Sequence, residues 1–484
     1  MSVTYPLGFR AGGIQAGLRT TPGLDLALIV NDGPADVVAG VFTTNRVCAA
    51  PVQWSRHATA DHKARAVIVN AAVANACTGI NGFADCQCEA EHVATLLECK
   101  PHEVVIASTG VIGVRLDMPS ILVGASTIHR ALGRGDNADA SAARAIMTTD
   151  TVPKMATVDA GGARFGGIAK GAGMLAPQLA TMLVFLTTDA IVDPEEFQDS
   201  LAKACDITFS RVDSDACMST NDTVVAMASG ASGISLTGDE LTDALTELCA
   251  ILARQLVADA EGSHHDVKVT VTGAISTEAA VAVAREVTRS NLVKTAIAGN
   301  DPNWGRILAA IGCVPENVAP FDPDQVDVSI NDIQICKAGG IGEDRNLVDM
   351  RPREVHIDIE LHAGDAELAI SSGVDGLIVS NHGGRVLGGA VHSLDALSAV
   401  SAHVAGRVPV LFDSGVRDGR DAYVALAKGA TAVLLGRPLM WGLAASGAMG
   451  VAHVVRLLRD ELEMTMALTG CVNLDEVRSG RGLA

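Results

Sequence analysis

G166-GIAKGAGMLAPQLATMLVFLTTDA-190 changes character half-way along. Its first half is polar and glycine-rich. Its second half, beginning with Met182 and Leu183, is an apolar run of buried-strand type. Thr181 stands at the joint, directly after Ala180. Two readings meet there. Threonine favours strands and often opens one. A hydroxyl between a flexible loop and a buried strand is also what a self-cleaving precursor needs. That hydroxyl attacks the Ala180 carbonyl in an N-to-O acyl shift, and water then releases two pieces. The second piece begins with one residue carrying a hydroxyl nucleophile and a free α-amine to act as its base. Such an amine has an unperturbed pKa of about 8, so much of it is neutral at working pH.

The rest of the composition bounds the possibilities. A chain of 484 residues is long enough for two to four domains with sizeable cores. The 36 Lys and Arg are outnumbered by 56 Asp and Glu, for a formal charge of −20. That acidity disfavours nucleic acid and anionic membrane as partners. Aromatic residues make up only 3%, so the cores must be aliphatic and close-packed. The 11 cysteines include Cys86 and Cys88 but no CxxC pair or zinc spacing, which predicts reduced thiols in a cytoplasmic protein. MSVTYPLGFRAGG has no basic-then-apolar secretion pattern, and no apolar run is expected to reach membrane-spanning length.

Outward from the joint, DLALIVND (25–32) and VVAGVFTTN (37–45) predict short strands within residues 5–60. ARAVIVNAAVANACTG (64–79) holds a further strand; its NACTG is given no role. In EVVIASTGVIGVRL (103–116) a buried strand is expected to turn out at Thr109-Gly110. Backbone N–H groups at such a turn can stabilise an oxyanion, although most STG triplets are ordinary turns. SAARAIMTTDTVPK (141–154) predicts a helix and then a threonine-rich loop closed by Pro153. PEEFQDSLAKAC (194–205) predicts a helix with an acidic first turn. Asp213, Asp215 and Asp222 fit no calcium loop and read as a polar turn before a strand. Leu241, Leu245, Leu248, Leu252 and Leu256 lie at helical spacing, with Glu261 just beyond the C-terminal end, where a helix dipole disfavours a carboxylate. VKVTVTGA (267–274) alternates as a strand, and residues 278–299 predict a helix running into a strand. Asn303, Trp304, Gly305 and Arg306 read as structural support.

KGAGMLAPQLATML (170–183), with MTTDT (147–151) upstream and DAEG (259–262) and DPNWGR (301–306) downstream, resembles the ornithine acetyltransferase (glutamate N-acetyltransferase) family of arginine biosynthesis over about residues 5–365. The resemblance implies a layered α/β sandwich that cleaves itself between Ala180 and Thr181. It implies parts at 1–180 and 181–365 that stay associated, as a heterotetramer of two α and two β chains. It makes Thr181 the nucleophile and Thr109 and Gly110 the oxyanion hole, with substrate contacts from Thr148 or Thr151, Lys170, Thr181 and Glu261. The substrates implied are N-acetylornithine and glutamate, with acetyl-CoA as a further donor in some members, and neither metal nor cofactor is needed.

At His362-Ala363-Gly364-Asp365 the likeness changes, and the family's substrate-reaching tail is missing. From AGDAELAISSGVDGLIVSNHGGR (363–385) to the end, the chain resembles the C-terminal part of the FMN-dependent α-hydroxy-acid oxidases. GLIVSNHGGR (376–385), VPVLFDSGVRDG (408–419) and AVLLGRPL (432–439) predict buried parallel strands of a (β/α)8 barrel separated by helices. By that resemblance His382 is the proton-abstracting base and Arg385 the carboxylate partner, while Asp413, Gly415, Arg417, Gly436 and Arg437 hold FMN. The family's Gln-Leu-Asp after that arginine is replaced by Val386-Leu387-Gly388. About 120 residues, 366–484, stand where a barrel takes about 250. The expectation is an acetyltransferase fused to a partial barrel fragment. The alternatives are an FMN-dependent 2-hydroxy-acid oxidation by that fragment and a chimera that has lost both activities.

Overall fold

The computed structural model describes residues 1–174, 182–363, 366, 369–370, 373–384 and 392–479. Two compact units are present. The first comprises Met1–Lys268, Val287–Asp301 and Met350–Val355, and the second comprises Val269–Glu286, Pro302–Asp349 and His356–Ala484.

The first unit is built on two sheets. Strands β1 (Phe9–Ile14), β2 (Leu26–Asn31), β4 (Ala66–Val73) and β5 (Val104–Val111) form one sheet in the order β1-β2-β4-β5. β3 (Val37–Phe42), β6 (Lys154–Ala160), β7 (Ala163–Lys170), β8 (Leu183–Thr188) and β9 (Thr223–Ala228) form the other in the order β3-β9-β8-β7-β6. Alternation of side chains makes each sheet bury both faces. On β8, Leu183 and Phe185 join Val67, Val69, Val105 and Val225 in a core between the sheets. Val184 and Leu186 point the other way, onto α5 (Pro194–Ile207) and α6 (Gly238–Ala258). On β4, Ala66 and Ile68 face α1 (Ala50–Ala58), α2 (Gly79–Leu97) and α3 (Met118–Ala131). α4 (Asp136–Ala145) adds Ala142, Ala143 and Ala145 to the central core. The result is the expected layered α/β sandwich, helix on sheet on sheet on helix. All five leucines of the 241–256 repeat are buried on α6.

Several elements differ from the sequence reading. The region read as strands up to residue 60 also holds α1, whose Pro51 suits a first helical turn. The segment 278–299 contains no strand: α7 (Thr277–Arg289) gives way to α8 (Asn291–Ala298) at Ser290, whose hydroxyl accepts the Val293 N–H as an N-cap. Asn303 then caps α9 (Trp304–Ile311) by accepting the Arg306 N–H.

A further sheet, most of whose residues belong to the second unit, contains β10 (Asp266–Thr272), β11 (Asp327–Ile330), β12 (Ile333–Lys337), β13 (Gly340–Ile341) and β14 (Glu354–Glu360) in the order β10-β14-β11-β12-β13. The last part contributes β15 (Leu377–Val379), β16 (Val410–Phe412) and β17 (Ala432–Val433), which pair in parallel in chain order, with α10 (Ser393–Val404) and α11 (Gly419–Ala427) between them. The partial barrel fragment is thus present as βα units. Of its strands only β16 is mostly buried; Ile378 on β15 is 60% exposed, against the expectation of three buried strands. The membrane-length expectation also needs correction. α12 (Arg437–Thr469) is long and apolar enough by those criteria, with a mean hydropathy of 1.3 over its best window. Ser446 and Gly447 interrupt it with non-helical backbone, so it is two helices meeting at a kink.

Glu89 on α2 is fully buried, and neither carboxylate oxygen has a hydrogen-bond partner among the described residues. Burial, with Asp85 adding to it, pushes its carboxyl up to about 8. Folding therefore favours the protonated form, and its contribution to stability falls as pH rises from the ordinary glutamate range through about 8. Glu89→Met is expected to raise stability by about 1–3 kcal/mol at neutral to alkaline pH and by less in acid. Urea unfolding at two pH values checks this.

Candidate active site

Lys170 is the last residue of β7, opposite Leu183 at the start of β8. It was expected in the glycine-rich loop; the strand instead carries it into the core, where it is 1% exposed. At that burial it is not a solvated surface lysine. Its ammonium donates to Thr148 Oγ1 at 2.7 Å and to Thr109 Oγ1 at 3.3 Å. Burial lowers its pKa to about 8; Asp150 and Asp222 oppose that shift, while Lys154 and Arg19 add to it.

Thr109 and Gly110 do not turn out of their strand. β5 continues to Val111, with Thr109 opposite Ala71 and Gly110 opposite Ala72 in the parallel ladder. Gly110 has φ +130°, and a Cβ there would lie 2.1 Å from the Ala72 carbonyl oxygen. Only glycine fits that approach. Beside it, the Asn221 side-chain amide donates to the Ala74 and Ser108 carbonyls at 2.6 and 2.8 Å, tying the ends of β4 and β5 together.

The threonine-rich loop after α4 separates its two candidate threonines, Thr148 and Thr151. Thr148 faces Lys170, whereas Thr151 is exposed and binds Asp259 through both its N–H and its hydroxyl. Between them stands Asp150. Its Oδ1 accepts from Lys154 Nζ at 2.7 Å and from the Gly171 N–H at 2.6 Å. Its Oδ2 accepts from the Thr148 N–H at 3.0 Å and lies 3.9 Å from Lys170 Nζ. Burial alone would raise Asp150, but Lys170, Lys154 and the Gly171 N–H hold its carboxyl below the usual range. Lys154 is also fully buried and reaches Asp259 Oδ2 at 2.6 Å.

Glu261 follows α6 in an exposed turn, and its N–H donates to the Ala172 carbonyl at 2.7 Å. A Cβ on Gly173 would lie 3.3 Å from Glu261 Oε1, so the carboxylate borders the loop that leaves Lys170. The polar stretch 213–222 supports both flanks of segment 175–181. Asp215 accepts the Met174 N–H at 2.6 Å, and Asp222 accepts the Met182 N–H at 3.1 Å. Burial pushes the Asp222 carboxyl well above its usual range, against the Met182 N–H and Lys170. Ala180 and Thr181 lie outside the described residues.

The structure therefore brings Thr109, Thr148 and Lys170 together, sets Glu261 beside the same loop, and places Thr151 on Asp259 instead. The sequence reading passed over Asp150 and Lys154, and it saw Asp215 and Asp222 only as a polar turn. The available signal was two opposite charges four residues apart beside a threonine pair, a pattern usually read as solvated surface.

In the second unit, Ser380 Oγ donates to Asp413 Oδ2 at 2.6 Å and accepts the His382 N–H at 3.0 Å. A Cβ on Gly383 would lie 3.8 Å from the Arg437 guanidinium. Gly415 follows β16 with φ +92°, Arg417 donates its N–H to Asp421, and Gly436 precedes α12. Arg385 lies outside the described residues.

The ArgJ family model matches residues 10–374. The chain belongs to the ArgJ family. It is 52% identical over 373 residues to the arginine biosynthesis bifunctional protein ArgJ of Bifidobacterium longum, covering 76% of this chain and 95% of that one. The counterpart from Streptomyces avermitilis is 52% identical over 365 residues, covering 75% and 94%. A solved ornithine acetyltransferase complexed with ornithine, from Mycobacterium tuberculosis, is 43% identical over 38% of this chain and 96% of that chain, with a TM-score of 0.34. This ArgJ family chain is an acetyltransferase of arginine biosynthesis. A second model, FMN-dependent dehydrogenase, matches residues 358–481. Over that part the chain is 48% identical to a (putative) lactate oxidase of Pediococcus acidilactici, covering 24% of this chain and 32% of that one at a TM-score of 0.23.

Gly110→Ala is expected to lower folding stability by about 2 kcal/mol or more, because the added methyl meets the Ala72 carbonyl in a conformation that L-residues disfavour. Chemical denaturation checks it.

Proposed function

We propose that the chain cleaves itself between Ala180 and Thr181 and then moves acetyl from N-acetylornithine to glutamate through Thr181. The observation that carries this reading is the buried Lys170 ammonium, aimed at the hydroxyls of Thr148 and Thr109 beside the loop that leads to Thr181. Thr181 Oγ attacks the acetyl carbonyl carbon while its own α-amine takes the hydroxyl proton. Thr109 and Gly110 stabilise the oxyanion of the tetrahedral intermediate. The C–N bond then breaks, the proton passes to the departing ornithine amine, and acetyl remains on Thr181. Attack by the glutamate amine reverses these steps and releases N-acetylglutamate. Lys170 holds a substrate carboxylate beside Thr148, and Glu261 holds a substrate ammonium. Acetyl-CoA is a second donor to assay. The parts 1–180, 181–365 and 366–484 serve as two cleaved acetyltransferase pieces and an appended fragment. Two copies of each cleaved piece form the assembly, in the cytoplasm.

An FMN-dependent 2-hydroxy-acid oxidation is the second reading, and the residues present do not fit the cofactor. Among the described residues, three short strands with β15 half open to solvent give the flavin ring no enclosing wall, although His382, Asp413 and Arg437 lie on neighbouring turns.

Intact mass after denaturation is expected to give two fragments meeting at Ala180/Thr181 in the natural chain and one uncut mass for Thr181→Ala. Two fragments from that variant would remove the mechanism. Protein incubated with FMN and desalted is expected to be colourless; retained flavin absorbance would revive the oxidase reading.

A further inference from the structure

One buried carboxylate organises the proposed site without belonging to the substrate-contact set. Asp150 receives the N–H of Thr148, the N–H of Gly171 next to Lys170, and the ammonium of Lys154, and it stands 3.9 Å from the ammonium of Lys170. It therefore fixes the backbone at Thr148 and immediately beyond Lys170, the two residues whose side chains meet at 2.7 Å. We propose that Asp150 is the positioning residue of this site: it aims Lys170 and Thr148 at each other and keeps the Lys170 ammonium charged to receive a substrate carboxylate. This rests on the acetyl-transfer reading for the identity of that carboxylate.

The charged groups around Lys170 are Asp150 and Asp222, which favour its cation, and Lys154 and Arg19, which disfavour it. Lys154 is held between Asp150 and Asp259. Arg19 is held by the Ala71 and Met147 carbonyls. Asp222 is pushed toward its neutral form by burial, which leaves Asp150 as the main fixed negative charge near Lys170. The sign follows. Lys170 binds a carboxylate only below its pKa, so binding is lost as pH rises through about 8. Without the Asp150 charge that loss moves to lower pH. An opposite charge at this distance shifts a pKa by about one unit or more.

The test compares the natural chain with Asp150→Asn. The KM for glutamate is expected to climb on the alkaline side of the profile, with the climb beginning about one pH unit lower in Asp150→Asn. That is about a tenfold higher KM at a fixed pH on the slope. Superimposable profiles from two folded, active proteins would overturn the proposal. A second measurement needs no turnover. Lys170 has a folded pKa below its unfolded value, so its charge costs stability at neutral pH and that cost fades as pH rises beyond about 8. The destabilisation by Asp150→Asn should therefore be larger at pH 7 than at pH 10, and this difference should vanish in a Lys170→Met background. A penalty independent of pH, or one unchanged by Lys170→Met, would overturn the proposal. Should Asp150→Asn not fold, Asp150→Ser removes the same charge and is read by the same two measurements; superimposable profiles or a penalty independent of pH would again overturn the proposal. If the natural chain itself transfers no acetyl group, the acetyl-transfer reading fails, and the denaturation cycle still decides the role of Asp150.

Discussion

Two lysine ammonium groups, Lys154 and Lys170, are taken out of water within the first unit. Each removal costs several kcal/mol unless close partners replace the lost hydration. Lys154 is compensated fully, by carboxylates at 2.7 and 2.6 Å. Lys170 is compensated less well, by one carboxylate at 3.9 Å and two neutral hydroxyls. The difference separates a structural cation from one with capacity left for another anion. It also explains why the threonine loop, the glycine loop and the end of β7 have so little freedom: each supplies or orients a partner. A shift in any of them leaves a charge uncompensated, which costs more than a lost surface contact.

Much of the sandwich was legible because its elements obey simple periods. The strand after the joint is apolar on both faces because it lies inside a sheet covered twice, and α6 shows its leucine stripe plainly. Residues 278–299 misled because alanine and valine fill helix and strand alike, and the break at Ser290 is a local cap without an apolar signature. At the site, resemblance pointed to Thr109, Gly110, Lys170 and Glu261, while local pattern placed Lys170 in a loop and Thr109-Gly110 at a turn. Both belong to strands that run further than their glycines suggest. Asp150 was invisible for a different reason. Its importance lies in three donors, two of them backbone N–H groups, from residues 148, 154 and 171, with the Lys170 ammonium nearby, and no spacing announces such convergence.

The C-terminal part shows the limits of local pattern in another way. Its strands pair in parallel and in order, as βα units should, and β16 is covered. The flanking strands are not, because a barrel strand owes its burial to neighbours on both sides. Among the described residues His382 follows β15, Asp413 and Gly415 follow β16 and Gly436 follows β17, yet a site depends on closure as well as on its residues. Met440, Trp441 and Met449 along α12 are exposed as well.

The pairing of β7 with β8 has one more consequence. Lys170 faces Leu183 in an antiparallel ladder, and Asp215 and Asp222 hold Met174 and Met182 on either side of the intervening segment. A cut between these anchors removes none of the ladder bonds or either anchor. The native state would hardly register the loss of covalent continuity, whereas the unfolded state would become two separate molecules. Refolding would then be a bimolecular reunion governed by protein concentration, and endurance would depend on how slowly the sandwich first opens.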